Sequence, residues 1–341
     1  MVSSHVDKQW SLITWSSLAT LLAAALSVFS HQACQAGDAP ATQRGETIST
    51  LDAEVQPLLY WAPESATEQP TPLLVFLHSW SSDYQQDNSK WLDACQERNW
   101  IWLHPNFRGA NQAPKACGSK YARQDVLDAI AFAGKRWNVD PQRVYLAGVS
   151  GGGHMALLMA GHHPDAFSAV SAWVAPTDLA EWHRFHTKNG KPQKYAVMIE
   201  KSLGGAPGAS AAIDADYRDR SPVFHLDRVG DLPVSIWAGV DDGHSGSVPI
   251  RHSLTAFNAI AAAHGDSIIS EIEIGELGTA KRLSAPQHSD EESDPALGTT
   301  LLLRRRSGES MITIFEGGHE SHPASAMEWL SSKRRAVSTH W

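Results

Sequence analysis

The segment Arg143–Ala160, RVYLAGVSGGGHMALLMA, constrains this chain more than any other. An apolar strand run, Arg143–Ala147, leads into Gly148-Val149-Ser150-Gly151-Gly152, and a helical run continues from Gly152 to Ala160. A serine in the pattern G-x-S-x-G between a strand and a helix sits on a sharp turn, and the glycines keep neighbouring Cβ atoms away from it. The helix start points free N–H groups at the serine and favours negative charge there. An ordinary Gly-rich turn is the alternative, but the flanking strand and helix favour a nucleophile. Ser150 is the candidate nucleophile, and Gly151 is the candidate donor of one oxyanion N–H.

A serine hydroxyl needs a base, and the base needs an orienting acid. In the order Ser, acid, His, each follows a later strand. The run Val234–Ala238 is followed by Gly239-Val240-Asp241-Asp242-Gly243. Asp242, three residues after Gly239, is the candidate acid, with Asp241 its competitor. The run Met311–Phe315 leads into Glu316-Gly317-Gly318-His319-Glu320, which makes His319 the candidate base over the nearby His322. The surrounding HESH lacks the HExxH spacing of a zinc helix, so no metal is expected. The second oxyanion donor should follow the early strand run Leu73–His78, where Ser79 and Trp80 stand in place of the glycines of an HGGG-type loop. There the backbone N–H of Trp80 would donate and its ring would line the acyl pocket; alternatively the ring only packs over the loop.

Strand runs alternate with helical patterns along the rest of the chain. Trp91–Glu97 is helix-like, Trp100–His104 a strand, Arg123–Trp137 an amphipathic helix, Val170–Val174 a strand, Ser253–His264 a helix, and a terminal helix starts near Ser325. The expected fold is α/β, with a mostly parallel central sheet flanked by helices. Two segments interrupt it. Residues 178–228 should form a small cap, with Trp173, Trp182, His183, Phe185, His186 and Tyr195 near its entrance. Trp80, Trp182 and Phe185 are the candidate substrate-binding aromatics, set against the plainer reading that they form the cap's core. Residues 266–298 read as a polar insertion, with Asp290, Glu291, Glu292 and Asp294 in a solvated loop. Leu301–Arg305 and Met311–Phe315 flank a hairpin turn at Arg306–Ser310.

Of 341 residues, 28 are Lys or Arg and 37 are Asp or Glu, a formal charge of −9 that argues against a nucleic-acid partner. A hydrophobic content of 42% excludes a disordered chain. No period of the length that marks solenoids and propellers repeats.

At the amino terminus, Lys8 precedes the apolar run Leu18–Phe29, and Cys34-Gln35-Ala36 offers a cleavage site. Residues 1–36 read as a signal peptide and 37–50 as a linker, leaving 51–341 as the catalytic domain. An uncleaved anchor over Ser11–Phe29 is the alternative. The cleaved protein is expected to be secreted or periplasmic, with no membrane contact. It keeps Cys95 and Cys117, an even number that reads as a disulfide in an oxidising compartment, or else as two buried free thiols.

The stretches LLVFLHSW, HPNFRGAN, ARQDVLDAI, AGVSGGGHMAL, WAGVDDGHSGSVPIRHS and IFEGGHE resemble an α/β-hydrolase, closest to the catalytic domain of the prolyl-oligopeptidase family. Secreted feruloyl and acetylxylan esterases and polyhydroxybutyrate-depolymerase-like esterases have similar cores. The resemblance implies a cofactor-free serine hydrolase acting on a small ester, an acylated saccharide or a short peptide. Two departures stand out. The chain has no room for the β-propeller of larger prolyl oligopeptidases, and the gap from Asp242 to His319 is long. The rivals are a non-catalytic binding protein of the same fold and a metallohydrolase using the His-rich carboxyl end.

Overall fold

The computed structural model describes residues 41–335. The signal-peptide reading, with Cys34, lies outside them.

The chain runs β1 (Gln43–Ile48), β2 (Val55–Trp61), β3 (Thr71–Leu77), α1 (Ser89–Gln96), β4 (Ile101–Pro105), α2 (Lys120–Arg136), β5 (Val139–Val149) and α3 (Gly151–His162). It continues through β6 (Ala169–Trp173), α4 (Leu179–Phe185), β7 (Thr187–Lys188), β8 (Lys191–Pro192), α5 (Lys194–Leu203) and α6 (Ala211–Asp219). Then follow β9 (Val234–Gly239), α7 (Arg251–His264), α8 (Glu271–Ala280), β10 (Leu301–Ser307), β11 (Ser310–Phe315) and α9 (Pro323–Ser331).

Nine strands form one sheet in the order β1-β2-β4-β3-β5-β6-β9-β11-β10. Neighbours from β4 to β11 pair in parallel, and antiparallel strands close both edges. This is the α/β-hydrolase architecture that the sequence implied. Parallel strands covered on both faces need continuous apolar runs, and every residue of β3, TPLLVFL, is buried. From Gly151 to Gly161, α3 is buried on all sides, as an apolar helix inside a core must be. Trp173 of β6 and Trp237 of β9 stack face to face at 4.6 Å.

The winding direction reverses at β3, which has β4 on one side and β5 on the other. Loops at the carboxyl ends of β3 and β5 therefore lie together, where open α/β sheets leave a crevice for ligands.

Four expectations are corrected. The presumed linker contains β1, which pairs in antiparallel register with β2. The acidic stretch is not a free loop. Asp290 is buried, accepts the Arg304 backbone N–H at 2.8 Å and pairs with Arg305; Asp294 takes Arg304 at 2.6 Å, and Glu292 takes Arg306 through both carboxylate oxygens. Three consecutive arginines of β10 each meet a carboxylate of that stretch. Cys95 and Cys117 are both free and buried. Cys95, on α1, packs in the main core and Cys117 in a separate apolar cluster under the cap, so the disulfide does not form. Burial raises both thiol pKa values, that of Cys117 to about 12.

Residues 178–228, the segment expected to be a cap, hold the short helices α4, α5 and α6 and the two-stranded hairpin β7–β8. The fourth correction concerns its aromatics. Trp80 and Trp182 are buried, edge to face at 4.6 Å, and belong to the cap's own apolar cluster. They offer no open face for stacking; Phe185 remains half-buried. Among the described residues, no helix is long and apolar enough to cross a membrane.

Candidate active site

Ser150 joins β5 to α3 at φ 58°, ψ −118°, a backbone conformation rare for a residue with a side chain. Its N–H donates to the Trp173 carbonyl at 2.8 Å, which ties the turn to β6. The glycines after it are required by space. A Cβ on Gly151 would lie 2.2 Å from the Trp80 nitrogen, and one on Gly152 would lie 2.1 Å from the Leu77 carbonyl oxygen. The helix start is thus pressed against the loop leaving β3.

That contact brings two N–H groups together. Gly151 opens α3, so its N–H has no helical acceptor one turn earlier. The Trp80 N–H has no acceptor among the described residues. By contrast, the Ser79 N–H donates to Gln86 Oε1 at 2.7 Å, so Ser79 is not available as an oxyanion donor. The Trp80 carbonyl accepts from the Asn111 N–H at 2.9 Å. Gln86 and Asn111 therefore brace the loop that aims Trp80. Asn111 lies in the stretch HPNFRGAN, but Gln86 carries no signal in the sequence.

His319 follows β11, and its Nδ1–H donates to Asp242 Oδ2 at 2.7 Å. The other oxygen of Asp242 accepts the N–H groups of Gly243 and Val248, both at 3.0 Å, and the carboxylate is buried. Asp241 turns outward and pairs with Lys281. With Nδ1 bound to Asp242, Nε2 of His319 is the nitrogen left for proton transfer. Among the described residues no hydrogen bond joins it to Ser150 Oγ, a link that is often loose before substrate binds.

Gly246 lies in the stretch WAGVDDGHSGSVPIRHS without a role assigned to it there: a Cβ on it would lie 2.1 Å from Asp242 Oδ1 and 2.9 Å from the His319 Cβ. Beside it, the Ser247 carbonyl accepts from Trp182 Nε1 and approaches His186 Nε2, each at 2.8 Å. Trp182 and His186 thereby hold the loop that carries Asp242. His322 packs its ring edge-on against Phe315 at 5.0 Å, and burial lowers its pKa. It is a packing residue rather than a second base. His154, one turn into α3, sets Nε2 2.7 Å from the Arg220 carbonyl, and burial lowers its pKa to about 4.

A carboxylate, an imidazole and a serine at three strand ends, with two N–H groups beside the serine, form a set suited to acyl transfer. Similar proteins agree at the level of fold and family. A puromycin hydrolase superposes with a TM-score of 0.58 at 15% identity, covering 86% of this chain and 38% of that one. The acylaminoacyl peptidase of Pyrococcus horikoshii gives 0.57 at 16% identity, covering 85% of this chain and 40% of that one. This chain thus spans well under half of either protein. An acetylxylan esterase of Coprinopsis cinerea is 40% identical over 49 residues, 14% of this chain and 13% of that protein. The BD-FAE family model matches residues 59–260, more than half of the chain and the part that carries Ser150 and Asp242. The superpositions show an α/β-hydrolase fold, and the chain belongs to the BD-FAE family.

Proposed function

We propose that this protein is an exported serine hydrolase that cleaves small esters, including acylated saccharides, through an acyl-enzyme. Ser150 Oγ attacks the acyl carbon and its proton passes to Nε2 of His319. The N–H groups of Gly151 and Trp80 hold the oxyanion. His319 then gives that proton to the leaving alkoxide. Water attacks the acyl-Ser150 carbonyl, losing its proton to His319, and the acid leaves as Ser150 is reprotonated. Asp242 fixes the imidazole tautomer and stabilises the imidazolium. The observation that carries this reading is the Asp242–His319 bond, which frees Nε2 for the proton. Export rests on the apolar run Leu18–Phe29 ahead of the Cys34-Gln35-Ala36 site.

The ester preference follows from leaving groups. An alkoxide departs more readily than an amine, which needs a well-placed general acid. The short stretch shared with an acetylxylan esterase points the same way. The test compares kcat/KM for an ester and an amide of one acyl group, alongside acetylated and feruloylated saccharides, with Ser150→Ala as the blank. The ester should be cleaved faster. Equal cleavage of the amide, with prolyl peptides preferred over both, would replace this reading by a peptidase.

A further inference from the structure

We propose that His162, Asp219 and His225 bind one transition-metal dication, of the Zn2+ class, where the cap meets the far end of α3. The ligand atoms of these three side chains lie within 4.8 Å of one another. They come from separate elements: His162 ends α3, Asp219 ends α6, and His225 follows in the next turn. Since α3 has 12 residues, the cluster lies about 18 Å from the helix start beside Ser150. It is therefore separate from the candidate active site.

The backbone is built for this approach. A Cβ on Gly161 would lie 2.7 Å from the His225 Cβ and 2.8 Å from its carbonyl oxygen, so only glycine admits His225 this close to the helix. The two imidazole rings lie 4.2 Å apart. Their Nε2 atoms converge on the Asp219 carbonyl oxygen, at 3.3 Å from His162 and 3.0 Å from His225. His225 Nε2 is also 3.1 Å from the Arg218 carbonyl. Asp219 Oδ1 stands 3.9 Å from His162 Nε2, while Oδ2 accepts from Arg123 at 3.1 Å.

Two imidazoles and a carboxylate select the zinc, cobalt and nickel class over calcium or magnesium, which prefer oxygen alone. A ligand imidazole is neutral, with one nitrogen lone pair free for the metal. Binding requires each ring to carry its proton on Nδ1, leaving the Nε2 lone pair for the metal. That exchange of tautomer gives up the Nε2–H bonds to the Asp219 and Arg218 carbonyls, so the ion must replace them. Nearby charge comes from Arg123 and Arg228, which oppose a cation, and from Asp219, which offsets it; the His163 ring lies 6.3 Å from that of His162. The ion would cross-link the cap to the helix that positions Ser150.

The test uses the full chain, stripped of metal and titrated with Zn2+ by calorimetry and with Co2+ by visible absorption. One equivalent should bind, raise the melting temperature and give the ligand-field bands of bound cobalt. His162→Gln and Asp219→Asn, both at the partly exposed side of the cluster, should each weaken binding roughly tenfold or more while melting like the parent without metal. Absence of stoichiometric binding would overturn the proposal. So would binding that neither substitution changes, because the ion would then sit elsewhere among the chain's 17 histidines.

Discussion

Asp242 is buried and accepts three hydrogen bonds, whereas its neighbour Asp241 is partly exposed and paired with Lys281. Asp242→Asn offers His319 an amide, which permits the wrong tautomer, and should lower kcat roughly 10,000-fold with the fold intact. Asp241→Asn disturbs only a surface pair and should stay close to the parent. Steady-state kinetics on the two variants checks the ranking; the reverse order would move the acid by one residue. The spacing from Gly239 already favoured Asp242. The choice between Ser79 and Trp80 was not legible, because it depends on Gln86 reaching back to the Ser79 N–H, a contact with no local sequence pattern. The burial of Trp80 and Trp182 was equally hidden: an aromatic cluster reads the same whether it lines a cleft or fills a cap.

Among elements, the clearest lesson lies in β10 and the acidic stretch before it. Read along the chain, Asp290, Glu292 and Asp294 form a charge run of the kind that solvates a loop. Only the sheet pairing of β10 brings Arg304, Arg305 and Arg306 against them. Asp290→Ala removes a buried carboxylate from Arg305 and from the Arg304 N–H, and should destabilise the protein by about 3 kcal/mol. Glu292→Ala, in a more exposed pair with Arg306, should cost less than about 1 kcal/mol. Urea unfolding of both variants measures the difference; equal losses would mean that burial does not set the strength of these pairs. The cysteines teach the same limit. An even number suggests a bond, but Cys95 and Cys117 pack in different apolar clusters, and spacing carries no trace of that. The strand and helix runs flanking Ser150, Asp242 and His319 were legible because each is a continuous apolar or periodic segment.

Across the whole molecule, the buried histidines set an acid limit. Burial holds His104 and His252 neutral, with pKa values lowered to about 3, and His154 to about 4. Unfolded, each returns to an ordinary value near 6.5. Between about pH 6.5 and 4 the unfolded chain therefore binds more protons than the folded one, so stability falls as pH falls through that window. Each histidine contributes a slope of up to about 1.4 kcal/mol per pH unit there, and above about pH 7 their contribution is constant. Unfolding followed from pH 8 to 4 should be flat at first and then steepen below 6.5. A stability independent of pH across that range would contradict the burial of these rings. The parallel sheet also explains why the candidate site is assembled from distant parts of the sequence. Successive crossovers return the chain to the same sheet edge, so residues 150, 242 and 319 each follow a strand that ends there.

The central claim, that Ser150 is an activated nucleophile, is tested most directly by an active-site phosphonate ester and mass spectrometry. Attack by Ser150 Oγ expels the probe's leaving group and adds one phosphonyl group per chain. That adduct should map to the peptide containing Ser150, disappear in a folded Ser150→Ala protein, and abolish ester hydrolysis in step with labelling. An adduct on another residue, or ester hydrolysis that persists in Ser150→Ala, would contradict the account.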